Sequence, residues 1–291
     1  MLLLPQGYHN VGFHNPDQIS PEIDALAASG VILEAMYTFK YCAPTRSSFL
    51  SGRFPIHVNQ LLNNNPGGID LRMTLLPQKL KSVGYKTATT GKWHCGARSV
   101  LNLPINRGFD SHFGFLGGGE DHYQDNGKKP VDLWRDHGPA YGENGTYSCE
   151  LYSAEALRVV AEHDPKDPLF LYYAFQNTHE PYQCPTQYQD PGVDYAERRV
   201  VQGMLTCVSI SIGNLTSALK AKGMWDNTLL VFSGDNGGPQ YWGSNNYPLR
   251  GGKWTDFQVC INRCVLASSI CFAYVIVIWC AHVNNPLCVH R

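Results

Sequence analysis

Two apolar runs constrain this chain more than anything else in it. Residues 167–175, DPLFLYYAF, and 227–238, NTLLVFSGDNGG, each carry an unbroken apolar stretch that ends in a polar loop. A strand covered on one face alternates apolar and polar residues, whereas one covered on both faces stays apolar throughout. These runs therefore read as buried central strands. Helical patterns lie between them and the other strand candidates. In SPEIDALAASG (20–30), Ser20 stands as N-cap and Pro21 as first helical residue. Ile23, Leu26 and Ala27 share one face, and Gly30 falls just past the end. TLLPQKLKSVG (74–84) repeats the logic with Thr74 as cap, Pro77 in the first turn and Gly84 as terminator. GYKTATTGKW (84–93) follows as a strand candidate. SAEALRVVAEH (153–163) and the stretch from Tyr195 to Lys222 read as further helices. Alternating helices and buried strands imply an α/β fold, a largely parallel sheet with helices on both faces. In such sheets the chemistry gathers beyond the carboxyl ends of the strands.

Polar clusters fall where that rule wants them. CAPTR (42–46) opens a helix candidate with Cys42, Pro44 and Arg46. GKWHCG (91–96) carries Lys92 and His94, and NTHEP (177–181) carries His179. SGDNGG (233–238) carries Asp235 and Asn236, and RGGKW (250–254) carries Lys253 on a glycine-rich loop. The Asp-Asn pair offers hard oxygen ligands, suited to Ca²⁺ or Mg²⁺ rather than zinc. Two lysines, two histidines and an arginine around them make an anion site, fitted to a tetrahedral sulfate or phosphate ester. Singly, each cluster has a plainer reading. Asp-Asn-Gly-Gly is commonly a turn, His-Glu-Pro a capped loop, and a buried cysteine a small hydrophobe. Together, in this order and at strand ends, they point to one site.

Composition removes other classes. With 291 residues, 43% hydrophobic and 16% charged, the chain is globular and long enough for a sizeable core. A formal net charge of -1 argues against nucleic acid or an acidic membrane surface as a partner held by bulk electrostatics. Five of the ten cysteines (Cys42, Cys95, Cys149, Cys184, Cys207) are scattered and five crowd between Cys260 and Cys288, with no zinc-ribbon spacing. Sequons at Asn144 and Asn214 hint at the secretory pathway. Met1 and three leucines before Pro5 are too short for a signal-peptide core.

CAPTR with the following SSFLSGRFP, then GKWH, THEP, DNGG and LRGGKW, resembles the signature segments of the type I sulfatases in the same order. NYPLRGGKW and NTHEP look most like the arylsulfatase B-like branch, the N-acetylgalactosamine sulfatases and their relatives. The resemblance runs over roughly residues 7–255 and implies an alkaline-phosphatase-like α/β fold and a sulfuric ester hydrolase. It implies that Cys42 is oxidised to formylglycine by the formylglycine-generating enzyme in the secretory pathway. The aldehyde hydrate would attack sulfur, expel the alcohol and collapse to release sulfate. By the same resemblance Asp235, Asn236 and residue 42 are Ca²⁺ ligands, and Arg46 steadies the hydrate. Lys92 and Lys253 bind sulfate oxygens, His94 assists the nucleophile, and His179 contacts or protonates the leaving oxygen. A lysosomal or extracellular location and a sulfated glycan or aryl sulfate substrate follow from it too.

The chain also departs from that pattern. Leu4 and Pro5 stand where the family carries an aspartate pair, and the family's first strand is expected to be missing. After about Thr255 the pattern stops. A catalytic unit over 1–258 is therefore expected, without the family's smaller C-terminal domain, and a divergent apolar tail over 259–291. Its CVLASSICFAYVIVIWCAHV run (264–283) is long enough to span a bilayer, or is non-native sequence; in either case it should pack poorly against the catalytic unit or stand off it. With one carboxylate left for the cation, calcium should bind weakly and turnover be low. An inactive sulfatase-like binder is the alternative, and a phosphoryl-ester hydrolase of the same superfamily a more remote one.

Overall fold

The computed structural model describes residues 1–4, 6–33, 36–58, 67–124, 132–257 and the backbone of 264–268. In chain order the elements are β1 (Leu2–Leu4), α1 (Pro21–Ser29), β2 (Val31–Leu33), α2 (Cys42–Ser51), α3 (Leu76–Lys81), β3 (Lys86–Lys92) and β4 (Ser111–Phe115). Then come β5 (Trp134–Arg135), β6 (Gly138–Pro139), α4 (Ser148–Glu162), β7 (Leu169–Ala174), α5 (Ala196–Ala221), β8 (Leu229–Gly234) and β9 (Cys264–Ser268). Among the described residues the strands form a nine-stranded sheet in the order β2-β9-β8-β1-β7-β3-β4-β5-β6. The central five, β8-β1-β7-β3-β4, are parallel, as expected of an α/β fold, and antiparallel strands close each side.

The apolar runs 169–174 and 229–234 are β7 and β8, and β1 lies between them. The expectation that the first strand is missing is therefore corrected. Three leucines suffice because both neighbours hydrogen bond to them. Phe175 N–H donates to Leu3 O at 2.8 Å, and Asp235 N–H donates to Leu4 O at 2.9 Å. All three leucine side chains are buried. Leu2 and Leu4 pack into one core, with Ile23, Leu205, Val208 and Phe232. Leu3 packs into the other, with Leu50, Trp93 and Tyr172.

A second correction concerns the tail. Residues 264–268 do not stand off the sheet. As β9 they pair antiparallel with both β8 and β2, Val231 opposite Leu266 and Ile32 opposite Val265. An apolar run beside the open edge of a buried strand satisfies that edge's backbone groups. The remainder of the run, 269–283, lies outside the described residues.

Helix boundaries deviate locally for identifiable reasons. Ser20 does not cap α1 with its own side chain. Its Oγ accepts from Gly12 N–H at 2.7 Å, while the Glu22 and Ile23 N–H groups donate to Ser209 Oγ of α5 at 3.1 and 3.4 Å. The first turn of α3 is closed by Gln78, whose Oε1 accepts from Leu75 N–H at 2.8 Å, so the cap position falls one residue after Thr74.

Candidate active site

Strand register sets the site. Leu4 is opposite Gly234, Leu3 opposite Ala174, and Gly91 opposite both Ala174 and Gly114. The residues just past these positions, among them Lys92 and Asp235, thus emerge at one edge, the carboxyl ends of the parallel strands. Helix α2 begins at the same edge with Cys42 as its first residue. Pro44 is the third helical residue. The position suits proline because the first four helical N–H groups lack intrahelical acceptors, and Cys42 still sits at the electropositive helix end.

Cys42 Sγ donates to Asn236 Oδ1 at 3.0 Å, joining α2 to the loop after β8. Arg46, one turn further along α2, reaches the same loop. Its Nε donates to Asp235 Oδ2 at 2.8 Å, its Nη2 lies 2.6 Å from that oxygen, and its Nη1 donates to Lys92 O at 3.1 Å. Both members of this ion pair are 0% exposed. His94 and His179 both reach the thiol. Lys253 Nζ lies 3.0 Å from His179 Nε2. His179 Nδ1 lies 2.8 Å from Glu180 O, a geometry that places the ring proton on Nδ1 and leaves Nε2 to accept from Lys253.

Lys253 is held there by its neighbours. Trp254 N–H donates to Lys40 O at 2.9 Å and its ring stacks on Tyr41, the N-cap of α2, with centroids 4.8 Å apart. Asn246 grips Gly238 through both its carbonyl and its N–H, at 2.8 and 3.0 Å. All eight residues singled out from the sequence thus converge on one buried cleft.

The charges inside it are uneven. Burial pushes the Lys92 amine down to about 8. Burial likewise takes the His94 imidazole down to about 4, and that of His179 below its ordinary value, with Lys92 adding to both. Burial opposes ionisation of Cys42, but Lys92, Lys253 and the two histidines outweigh it and hold the thiol well below its usual range. Asp235 is raised, by burial first and by the facing Cys42. Lys92 Nζ, His94 Nδ1 and Asp235 Oδ1 have no hydrogen-bond partner among the described residues. A fully buried ammonium without a partner is costly, and an anion in the cleft would relieve that cost.

Calcium fits this donor set poorly. It takes six to eight oxygens, carboxylates foremost. Asp235 is the single carboxylate among the residues that meet here, and one of its oxygens is engaged by Arg46. Asn236 Oδ1 accepts from Cys42. Leu4 directs its side chain into the core, and Pro5 has no side-chain oxygen. Gln6 Oε1, buried just beyond β1, is a neutral amide oxygen and brings no charge.

Sequence reasoning missed the loop that covers the histidines. A Cβ on Gly118 would come within 2.9 Å of the His94 ring, and one on Gly119 within 2.9 Å of His179 Nδ1. The signal was legible as the glycine run after β4, Gly117–Gly119. His122 supports His179 from behind, with Nε2 at 3.0 Å from His179 O and Nδ1 at 2.9 Å from Ser148 Oγ.

The fold and this cleft define an α/β protein with a cationic, anion-accepting site, and comparison with known proteins shows its family. The Sulfatase family model matches residues 6–259, and the chain belongs to that family. It is similar to arylsulfatase J of Mus musculus, 39% identical over 265 residues, covering 87% of this chain and 44% of the relative. It is also similar to N-acetylgalactosamine-6-sulfatase of the same species, 29% identical, covering 89% of this chain and 54% of the relative. The chain thus spans about half the length of the curated relatives it matches. Among solved structures, Ps i-CgsB in complex with k-i-k-neocarrahexaose superposes with a TM-score of 0.85 at 29% identity, over 92% of this chain and 65% of that one.

Proposed function

We propose that this chain is a sulfuric ester hydrolase acting on sulfate esters of glycans or aryl alcohols, with residue 42 at the reacting centre. One observation carries the reading: Lys92 Nζ is buried and without a partner in the cleft that holds Cys42. The galactosamine-sulfatase relative and the neocarrahexaose-bound neighbour support a glycan ester as substrate. Oxidised to formylglycine, residue 42 would supply a hydrated aldehyde as nucleophile.

The surrounding side chains have work that follows from their chemistry. Lys92 and Lys253 draw the sulfate oxygens in and spread their charge. Arg46 is pinned by Asp235 and by Lys92 O, so it fixes the start of α2 and adds charge without moving. His94, kept neutral by burial, accepts a proton from a hydroxyl at residue 42. His179 accepts from Lys253 on Nε2, and this pair passes a proton to the departing alkoxide. No step is assigned to a divalent cation, because the donor set does not suit one. Routing through the secretory pathway belongs to the same proposal, since modification of Cys42 requires it.

The test is peptide mass spectrometry across residues 41–53, after expression in secretory cells that contain the formylglycine-generating enzyme. Aldehyde at residue 42 is the expected result, and unmodified thiol alone would overturn the nucleophile assignment. A second reading, a non-catalytic binder of sulfated glycan, is favoured by the single, already paired carboxylate. Hydrolysis of an aryl sulfate by the modified chain separates the two.

A further inference from the structure

We infer that this cleft takes up its tetrahedral oxyanion without a divalent cation, the buried Arg46 and Lys92 and the half-buried Lys253 supplying the charge a metal would bring. The inference rests on the proposed sulfate-ester reading and deepens it. The cleft brings three basic side chains and one carboxylate together. The carboxylate is matched by Arg46 at 2.6 Å. With residue 42 uncharged, that leaves two positive charges uncompensated, Lys92 and Lys253.

A doubly charged oxyanion balances them. A divalent cation would raise the same cluster to four positive charges around the fully buried Arg46 and Lys92, where like charges repel strongly. The neutral oxygens do not alter this balance. Asn236 Oδ1 accepts from Cys42 and its Nδ2 donates to Gly237 O at 2.9 Å, so the side chain is already oriented by the fold. Gln6 Oε1 is a single amide oxygen. Leu4, at the position nearest Gly234, is 0% exposed and belongs to the apolar core. The edge of the sheet that could supply a second carboxylate supplies a methyl-bearing side chain instead. Lys92 shows the complementary side: an ammonium buried at 0% exposure, with its hydrogen-bonding capacity unspent.

The experiment is a calorimetric titration of the full chain, bearing the uncharged formylglycine at residue 42, with inorganic sulfate at constant ionic strength, once with a chelator and once with added calcium chloride. Saturable binding with the chelator, unchanged within about twofold by calcium, is the expected result. Calcium-dependent tightening of about tenfold or more would overturn this inference and leave the sulfate-ester reading standing. No saturable sulfate binding under either condition would overturn both. Asp235→Asn gives an opposite sign for the two accounts. Removing the carboxylate raises the positive charge and tightens sulfate severalfold here, whereas in a metal-held site it removes the metal's one carboxylate and weakens sulfate.

Discussion

Arg46 and Asp235 lie together with no exposure to solvent, and each is the other's principal compensation. Removing one partner of such a pair leaves an unmatched buried charge. Arg46→Ala is therefore expected to lower unfolding free energy by about 3–5 kcal/mol. Urea denaturation checks this, and a loss under about 1 kcal/mol would show that the pair is solvated in solution. Glu120 is a second buried acid, outside the chemistry. Its Oε1 accepts from Tyr152 OH at 2.7 Å, and burial raises its carboxyl to about 8. A raised value means the folded state holds a proton that the unfolded chain has released. The stability this contributes is present below 4.5 and is lost as pH rises to about 8. Glu120→Gln should lose less stability than the parent chain over that interval, by chemical denaturation at several pH values. Parallel profiles would show Glu120 to be ionised in the fold. The site acids and bases were legible from short motifs, because each follows a strand run, opens a helix or lies on a glycine-rich loop. Glu120 was not, because its burial depends on Tyr152 of α4, distant in sequence.

The loop after β4 is the element on which both histidines depend. Gly118→Ala and Gly119→Ala would each press a methyl group into a histidine ring, at 2.9 Å before relaxation. Displacing a catalytic group by about 1 Å costs on the order of a hundredfold. Each substitution is expected to lower kcat by about tenfold to a hundredfold with little change in melting temperature. Unchanged kcat would mean that the loop does not position the rings. The two sequons differ in setting as well. Asn144 is exposed in a turn, whereas Asn214 is exposed within α5 beside the buried Thr216, whose Oγ donates to Gly213 O at 2.9 Å. Secreted chain should carry glycan at Asn144, read as a mass shift abolished by Asn144→Gln; no shift would place the turn out of reach. Long periodic or apolar segments, α5, β7 and β8, were legible in the sequence. The three-residue β1 was not, since its pairing partners lie more than 160 residues away. The two-residue strands β5 and β6 fall below any sequence period.

At the scale of the molecule, residues from position 42 to 253 meet because five parallel strands end at one edge and α2 starts there. The α/β alternation and that edge could be read from the order of apolar runs and polar loops. The strand order could not, since β1 enters between β7 and β8 through backbone hydrogen bonds rather than a motif. Placement of β9 in the sheet likewise depends on an open edge beside β8, which a local reading of an apolar tail does not reveal. The central claim is that the cleft built on Cys42 is an oxyanion-ester site whose reacting group is residue 42. The most direct test is the initial rate of aryl sulfate hydrolysis by the formylglycine-bearing chain, measured beside Cys42→Ala and Lys92→Ala. The account predicts slow but measurable turnover that falls to background in Cys42→Ala and by about a hundredfold or more in Lys92→Ala. Turnover that survives Cys42→Ala, or none above that background in the parent chain, would contradict it.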